Sequence, residues 1–331
     1  MNADTAPRLT PSANDAGDHQ INLDAIERAA ARIAAHIART PVLRARGIDA
    51  LADATLVFKC ENFQRAGAFK FRGACNAVWS LSADVAAHGV ITHSSGNHGA
   101  ALSLAARTRG IAAHVVVPEG AVKSKLAAIA AYGATLHTCA PTFAAREATT
   151  ERLRLQTGAT LVHPFTDPAV IAGQGTAALE LLDEVGEVDA LIAPVGGGGL
   201  ISGSAIAARA RDPHMRIFAA EPEGAADAYE SLRRGARVTD IVPQTISDGL
   251  RATLGEINLR LLREYDVRVL PVSDAETVAA MRLIFERMKI VIEPSSATVL
   301  AAVLRHREYF AGRRVGVILS GGNVDLDHLP W

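Results

Sequence analysis

LIAPVGGGGLISGSAIAARAR, residues 191–211, sets the fold class. Five mostly apolar residues are too few for a helix and enough for a strand buried on both faces. Four glycines stop the run, and an alanine-rich stretch of helical composition follows. A strand passed to a helix through a glycine turn is the repeating unit of an open parallel α/β sheet. The same order recurs along the chain. TLVFKC (55–60) precedes FRGACNAVWSL (71–81), GVITHSS (89–95) precedes GAALSLAARTR (99–109), and AHVVVP (113–118) precedes VKSKLAAIAAYG (122–133). RIFAAEP (216–222) precedes another helix, and RVGVILS (314–320) stands near the end. The alternation predicts an α/β chain with parallel sheets and right-handed crossovers. Ahead of it, INLDAIERAAARIAAHIAR (21–39) sets Ile26, Ala29, Ile33 and Ile37 on one face. This predicts an amphipathic helix from Asn22 to Arg39, with Asp24 as the candidate N-cap.

At 331 residues the chain exceeds the ~250–300 at which one core stops growing, so two domains around a cleft are expected. Hydrophobic residues make up 49% and charged residues 21%, and the formal net charge of −1 gives no long-range field for nucleic acid or an anionic membrane. Cys60, Cys75 and Cys139 are too few and too scattered for a disulfide framework and form no CxxC pair. A reducing compartment, the cytoplasm, is therefore expected. Residues 1–20 carry neither an apolar run nor a basic patch and read as a disordered tail rather than a targeting segment. No window approaches the ~18 consecutive apolar residues of a membrane helix.

Three turns close strands with glycine or serine: SSGNHG (94–99), GGGG (196–199) and SGGN (320–323). At the carboxyl ends of parallel strands such turns line one ligand crevice. In Gly196, Gly197, Gly198 and Gly199 the missing Cβ atoms let backbone N–H groups converge on an anion, and the helix N-terminus adds partial positive charge. A phosphate is the expected guest; a turn packed closely against a neighbour is the structural alternative. The spacing is neither GxGxxG nor GK[ST], which argues against a nicotinamide dehydrogenase or a nucleotide hydrolase. Lys70 lies between Phe69 and Phe71 in GAFKFRGA (67–74). An ammonium among apolar groups loses hydration, its pKa falls, and the neutral amine can attack a carbonyl. Alone, the same pattern also describes a lysine whose stem packs on aromatics with its head in water. Ser320 follows a buried strand and offers a hydroxyl that can hydrogen-bond a pyridine nitrogen without protonating it, or is an ordinary turn serine.

Together, CENFQRAGAFKFRGA (60–74), THSSGNHGAALSLAA (92–106), PVGGGGLISG (194–203) and LSGGNVD (319–325) strongly resemble the serine/threonine dehydratase and serine racemase family of fold-type II pyridoxal-phosphate enzymes, which includes 3-hydroxyaspartate dehydratases. HPFTDPAVIAGQGT (163–176) fits as well, and the likeness runs from about Asn22 to the C-terminus. The resemblance implies a tryptophan synthase β-like α/β fold, with two open parallel-sheet domains and the active site in the cleft between them. The large, cofactor-binding domain would comprise residues 21–88 and 167–331, and the small domain residues 89–166. The resemblance also implies pyridoxal 5′-phosphate held as an imine on Lys70, with Phe69 against its ring and Asn97 at its ring hydroxyl. Ser320 would meet the ring nitrogen, and Gly196 to Gly199 the phosphate. Ser94, Ser95, Asn97 and His98 would cradle the substrate carboxylate. Lys70 would take the Cα proton and the 3-hydroxyl would leave, giving an enamine that hydrolyses to a 2-oxo acid and ammonia. In the racemase branch the residue matching Ser95 is the second acid/base, on the face opposite Lys70.

The stretch AAEPEGAADAYES (219–231) resembles the divalent-metal site of the same branch, with Glu221, the carbonyl of Ala225 and Asp227 as protein ligands. Such a set, completed by waters, suits Mg²⁺ or Ca²⁺ rather than zinc. Without the family, these are acids gathered near a helix N-terminus. Ala252 in DGLRATLG (248–255) stands where the racemase branch has a serine assisting the substrate, which weakens a serine racemase assignment. Arg146 in TFAAREATTERL (142–153) matches an arginine at the substrate end in the racemase and hydroxyaspartate branches. Its alternative is a solvated helix arginine paired with Glu147 or Glu151. The sequence ends at Trp331, soon after SGGNVD, so the C-terminal regulatory domain of the large biosynthetic threonine deaminases is not expected. The expected activity is a dehydratase (ammonia-lyase) for serine, threonine or 3-hydroxyaspartate, acting as a homodimer. An amino acid racemase is the runner-up, and a dehydratase of a less common 3-hydroxy amino acid comes next. Outside the enzymes, the alternative is a binding protein that kept the fold and lost catalysis; Lys70, Ser95 and the tetraglycine together count against it.

Overall fold

Ten strands carry the frame in the computed structural model, which describes residues 21–331; the tail expected over residues 1–20 lies outside the described residues. They are β1 (Val42–Leu43), β2 (Thr55–Cys60), β3 (Val90–His93), β4 (Ala113–Pro118), β5 (Thr135–Cys139), β6 (Thr160–Leu161), β7 (Ala190–Pro194), β8 (Arg216–Pro222), β9 (Arg268–Val272) and β10 (Arg314–Leu319). One sheet has the order β1-β2-β10-β7-β8-β9, the other β5-β4-β3-β6. All neighbours are parallel except β1, which pairs antiparallel with β2 through Val42 and Lys59. Both sheets are parallel as expected, and the two-residue edge strand β1 is added antiparallel. A parallel return needs a long crossover, and the short link through the helix Arg46–Ala52 turns the chain straight back.

The core follows from the strand period. In β7, Leu191 and Ala193 join one apolar cluster with Leu179, Ile201 and Ala205, while Ala190 and Ile192 join another with Met281, Leu300 and Val303. A strand covered by helices on both faces needs the continuous apolar run that the sequence shows. Burying each leucine or isoleucine contributes about 1.5–3 kcal/mol.

The first helix is shorter than its periodicity predicts. It spans Leu23–Ile33, and its N-cap is Asn22, whose side chain accepts from the Ala25 amide at 3.0 Å. Asn22 has the extended backbone that a cap requires, whereas Asp24 lies within the first turn and can act only on the helix dipole. Beyond Ile33 the chain turns, with the His36 and Ile37 amides both donating to the Ile33 carbonyl.

The helix Lys70–Ser80 packs against the helices Pro168–Val185 and Asn97–Arg109. Its Phe71, Cys75 and Val78 share a cluster with Ala101, Leu102 and Ala105 of the helix Asn97–Arg109, and with Val170 of the helix Pro168–Val185. Its first turn is anchored by Arg72, which is fully buried and bonded to Glu61 at 2.7 and 2.8 Å and to Glu180 at 2.8 Å through each terminal nitrogen. Lys59 reaches Glu180 at 2.8 Å, so two cations face two carboxylates and no charge is left unmatched. The three cysteines are buried and free. Among the described residues no helix is long and apolar enough to cross a membrane.

Candidate active site

Lys70 opens its helix beside the turn 320–323 that follows β10. The Phe69 amide donates to the Ser320 carbonyl at 2.9 Å, and Ala68 bridges Gly321. The Lys70 amine donates to the Pro164 carbonyl at 2.9 Å and lies 5.1 Å from the centre of the Phe69 ring. Burial lowers its pKa to about 8, with Glu293 pulling weakly the other way. Ser320 is 2% exposed, and its hydroxyl has no hydrogen-bond partner among the described residues.

The segment that receives Lys70 also touches the glycines. A Cβ at Gly197 would overlap the Phe165 ring, and one at Gly199 would stand 3.2 Å from the Phe165 Cα. Gly196 to Gly199 run from the end of β7 into the helix Gly199–Arg211. All four are buried, and none of their N–H groups finds an acceptor among the described residues. Gly198 has φ +97°, and a Cβ there would meet Asn258 Cβ and Leu254 Cδ1 at 2.7 Å. Buried donors without acceptors, at a helix N-terminus with no room for side chains, fit an oxyanion such as a phosphate. With a lysine of lowered pKa in the same cleft, the residues fit pyridoxal 5′-phosphate, whose aldehyde needs the amine and whose phosphate needs the turn.

The second turn lies after β3 and opens the helix Asn97–Arg109. Ser94 Oγ accepts from the Gly96 amide at 3.3 Å, and the Ser95 hydroxyl has no hydrogen-bond partner among the described residues. Asn97 Nδ2 donates to both oxygens of Glu293, at 2.9 and 3.1 Å. His98 Nε2 lies 3.1 Å from the Val162 carbonyl, so Nε2 carries the proton and the buried, unpartnered Nδ1 is a lone pair. Burial first, then Lys70, keeps His98 neutral. With its one N–H committed to Val162, the ring has only an acceptor to offer at Nδ1, which leaves the backbone N–H groups and the hydroxyls to meet an anion at this turn.

Arg146 stands on the helix Phe143–Thr157, with Nε buried and unpartnered. It forms no ion pair among the described residues, because Glu151 bonds Arg154 instead, at 2.7 and 2.8 Å. The solvated pairing open to it in sequence is therefore not adopted. Its charge adds to burial in lowering the pKa of His93, the last residue of β3.

The acids of 219–231 lie at the end of β8. Glu221, fully buried, accepts from the Ala228 amide at 2.7 Å and the Tyr229 amide at 2.9 Å, and Asp227 accepts from the Leu254 amide at 2.6 Å. Burial raises both pKa values, Asp227 to about 6 and Glu221 well above the carboxylate range, with the charge of Asp227 adding to Glu221. No basic side chain bonds either acid among the described residues. Ala225, also buried, sits in the turn between them. Two buried carboxylates with no bonded basic side chain among the described residues fit a hard divalent ion, although Arg237 acts on Asp227 and the amides at Ala228 and Tyr229 already answer part of the charge of Glu221. Among the described residues no three His, Cys, Asp or Glu side chains are grouped so that they could hold a metal ion, so a carbonyl and waters would have to complete the set.

Sequence reading missed several residues of the cleft. Glu293 is buried just before Pro294, marked only as an acid ahead of a helix that starts with proline. His163 Nδ1 accepts from Thr166 at 2.7 Å and is held neutral by burial, with a pKa of about 3. Lys125, on the helix Lys123–Ala131, pairs with Asp248, joining the four-stranded unit to the turn 248–250.

A family profile described as pyridoxal-phosphate dependent enzyme matches residues 33–321. The beta-hydroxyaspartate dehydratase of Paracoccus denitrificans is 48% identical, over 91% of this chain and 95% of that protein. The serine racemase of Dictyostelium discoideum is 49% identical, over 93% and 97%. The structure of maize serine racemase superposes with a TM-score of 0.90 at 44% identity, covering 92% of this chain and 94% of that one. The chain belongs to the fold-type II pyridoxal-phosphate enzymes, in the family that holds serine racemases, hydroxyaspartate dehydratases and threonine deaminases. Within it, the relatives divide between dehydratases and racemases.

Proposed function

We propose that the enzyme removes water and then ammonia from a small 3-hydroxy amino acid, with 3-hydroxyaspartate preferred to serine and threonine. One observation carries the preference. The Arg146 guanidinium, with no carboxylate partner among the described residues, stands near His93 at the end of the strand leading into the serine turn. The N–H groups of that turn suit an α-carboxylate, and a guanidinium can take a second carboxylate in a bidentate pair. 3-Hydroxyaspartate has that second carboxylate and threonine lacks it. The likeness to the Paracoccus dehydratase supports the same reading.

Gly196 to Gly199 would hold the cofactor phosphate, Phe69 and Asn97 its ring, and Ser320 its ring nitrogen. When bound, the cofactor supplies the conjugated electron sink that makes the substrate Cα acidic. Lys70, whose charged form burial disfavours, would take the Cα proton at Nζ. The 3-hydroxyl departs as water, and the enamine takes up one water to give a 2-oxo acid and ammonia. A panel of serine, threonine and 3-hydroxyaspartate stereoisomers, scored for ammonia and 2-oxo acid, tests the assignment. Arg146→Ala should cut kcat/KM for 3-hydroxyaspartate at least tenfold, about 1.4 kcal/mol, and change serine and threonine much less. Equal losses on every substrate would assign Arg146 to the shared α-carboxylate, and no loss would end the preference.

Racemisation is a second reading, favoured by the free hydroxyl of Ser95 and by the likeness to serine racemases. We also propose that Glu221, the carbonyl of Ala225 and Asp227 bind Mg²⁺ or Ca²⁺. Binding at about 100 times Kd would stabilise the fold by about 2.7 kcal/mol, enough to raise Tm by several degrees. The Glu221→Gln/Asp227→Asn double variant should lose that response to Mg²⁺, Ca²⁺ and chelator; an unchanged response would leave only the helix-terminus role.

A further inference from the structure

Asn97 is tied at both ends. Its amide NH₂ faces the two oxygens of Glu293, and its carbonyl oxygen accepts from Asn323 Nδ2 at 2.9 Å. Asn323 Nδ2 donates in turn to the Ala66 carbonyl at 2.8 Å, in the turn that leads to Lys70. Carbonyl and carboxylate oxygens only accept, so the chain of bonds has one sense. Ala66 requires the NH₂ of Asn323, Asn323 then requires the carbonyl of Asn97, and Glu293 requires the NH₂ of Asn97. Turning the Asn97 amide over would set its carbonyl against a buried carboxylate and leave Asn323 facing a donor.

Glu293 is itself held in place. It is 3% exposed, and its amide donates to the Gly321 carbonyl at 3.0 Å. Burial favours its neutral form, while Asn97, Lys125, the Asn323 amide and Lys70 all favour the carboxylate. The same short span thus links the turn before Lys70, the serine turn after β10 and the turn that opens at Ser94.

We propose that Glu293 is a positioning residue that locks the Asn97 amide, so that Asn97 presents an N–H, and never its carbonyl, to the ring oxygen of the cofactor. The inference rests on the reading that Asn97 meets that oxygen. An amide NH₂ has two hydrogens, so one can serve Glu293 while the other faces the cleft. A donor at the ring oxygen favours its ionised form, whereas a carbonyl would favour the protonated form. Glu293 therefore acts on the ring through Asn97 and carries no proton of the reaction.

The test compares Glu293→Gln, Glu293→Ala, Asn97→Ala and the Asn97→Ala/Glu293→Ala pair, reading the affinity of the cofactor-free protein for pyridoxal phosphate and the pH dependence of the bound cofactor's visible absorption. Gln can turn its own carbonyl toward Asn97 and keep the lock without the charge. Glu293→Gln should therefore stay within about threefold of the parent in affinity, while Glu293→Ala should lose at least about tenfold and shift the absorption toward the protonated ring. In the Asn97→Ala background Glu293→Ala should add nothing further, since the group it orients is gone. If Glu293→Ala proves insoluble, Asn323→Ala cuts the same chain from its exposed end and should move both readouts in the same direction. Glu293→Gln as damaging as Glu293→Ala would show that charge matters rather than orientation, and a full effect of Glu293→Ala without Asn97 would show a separate path; either overturns the proposal. Asn97→Ala with unchanged affinity and spectrum would instead remove the ring contact on which the inference stands.

Discussion

The tetraglycine turn and the serine turn are both strand-to-helix crossings that offer a helix N-terminus to one cleft, yet they are built on opposite plans. The first consists of backbone alone. Its amides are buried and unpaired among the described residues, Gly198 has a left-handed backbone, and a side chain at Gly197 or Gly198 would collide with Phe165, Asn258 or Leu254. The second works through side chains whose partners come from far away in sequence. Asn97 is oriented by Glu293 and Asn323, and Arg146, on another helix, acts electrostatically on His93 just before the turn. A cradle without side chains suits a group that never varies, such as a cofactor phosphate, and a turn read through side chains suits the substrate end, where relatives differ.

The largest expected effect tests this contrast with two glycines. Gly198→Ala places a Cβ 2.7 Å from Asn258 Cβ and Leu254 Cδ1 at a φ of +97°, so the turn must change shape. Its affinity for pyridoxal phosphate should fall at least 100-fold, about 2.7 kcal/mol, when the cofactor-free protein is titrated. Gly96, in the serine turn, has nothing within 4 Å of such a Cβ, and Gly96→Ala should stay within about threefold. Equal losses in the two variants would mean that both turns hold the cofactor in the same way, and the contrast would collapse.

Lys70 stands between the turns, and its expected effect is smaller but specific. Burial disfavours its charged form, so the neutral, nucleophilic amine becomes the major form above about pH 8 rather than near 10.5. Capture of pyridoxal phosphate by the cofactor-free protein should speed up roughly tenfold between pH 7 and pH 10, with its midpoint near 8. Borohydride should then fix the cofactor to Lys70, and a label on another lysine would remove Lys70 from the site. A midpoint above pH 10 would show that the amine is solvated, like that of any surface lysine.

The same contrast explains what was legible in the sequence. The glycine turn could be read because its chemistry lies in the absence of side chains between an apolar run and a helix, all within a few residues. Lys70 and Ser320 could be singled out as candidates because short motifs bracket them. Glu293 could not, since it meets Asn97 across 196 positions of sequence and looks like an acid ahead of a proline. Arg72 lay inside a quoted motif without a role, because its acids Glu61 and Glu180 converge only when two helices pack beside the 3-10 turn that follows β2. The first helix was overextended for a related reason. Its apolar period continues to Ile37, but the chain turns at Ile33 where tertiary contacts override the period.

The smallest expected effect on elimination belongs to Ser95. Its hydroxyl is half-buried and bonded to nothing among the described residues, so Ser95→Ala leaves no buried group unpaired and should preserve the turn. Asn97 and Glu293, which fix the turn, are not bonded to it. If Lys70 removes the proton of the L-substrate, a serine acting on the opposite face is needed only when a proton is returned there to make the D-enantiomer. Ser95→Ala should thus lower ammonia release from the L-substrate by less than about threefold, near 0.7 kcal/mol, while any D-amino acid formed in the same reaction falls at least tenfold. Both products can be measured in one time course, so loss of protein would lower them together and a change of path would separate them. If ammonia release fell as far as in Lys70→Ala, Ser95 would belong to the elimination itself, and the serine turn would hold a catalytic group as well as a substrate site.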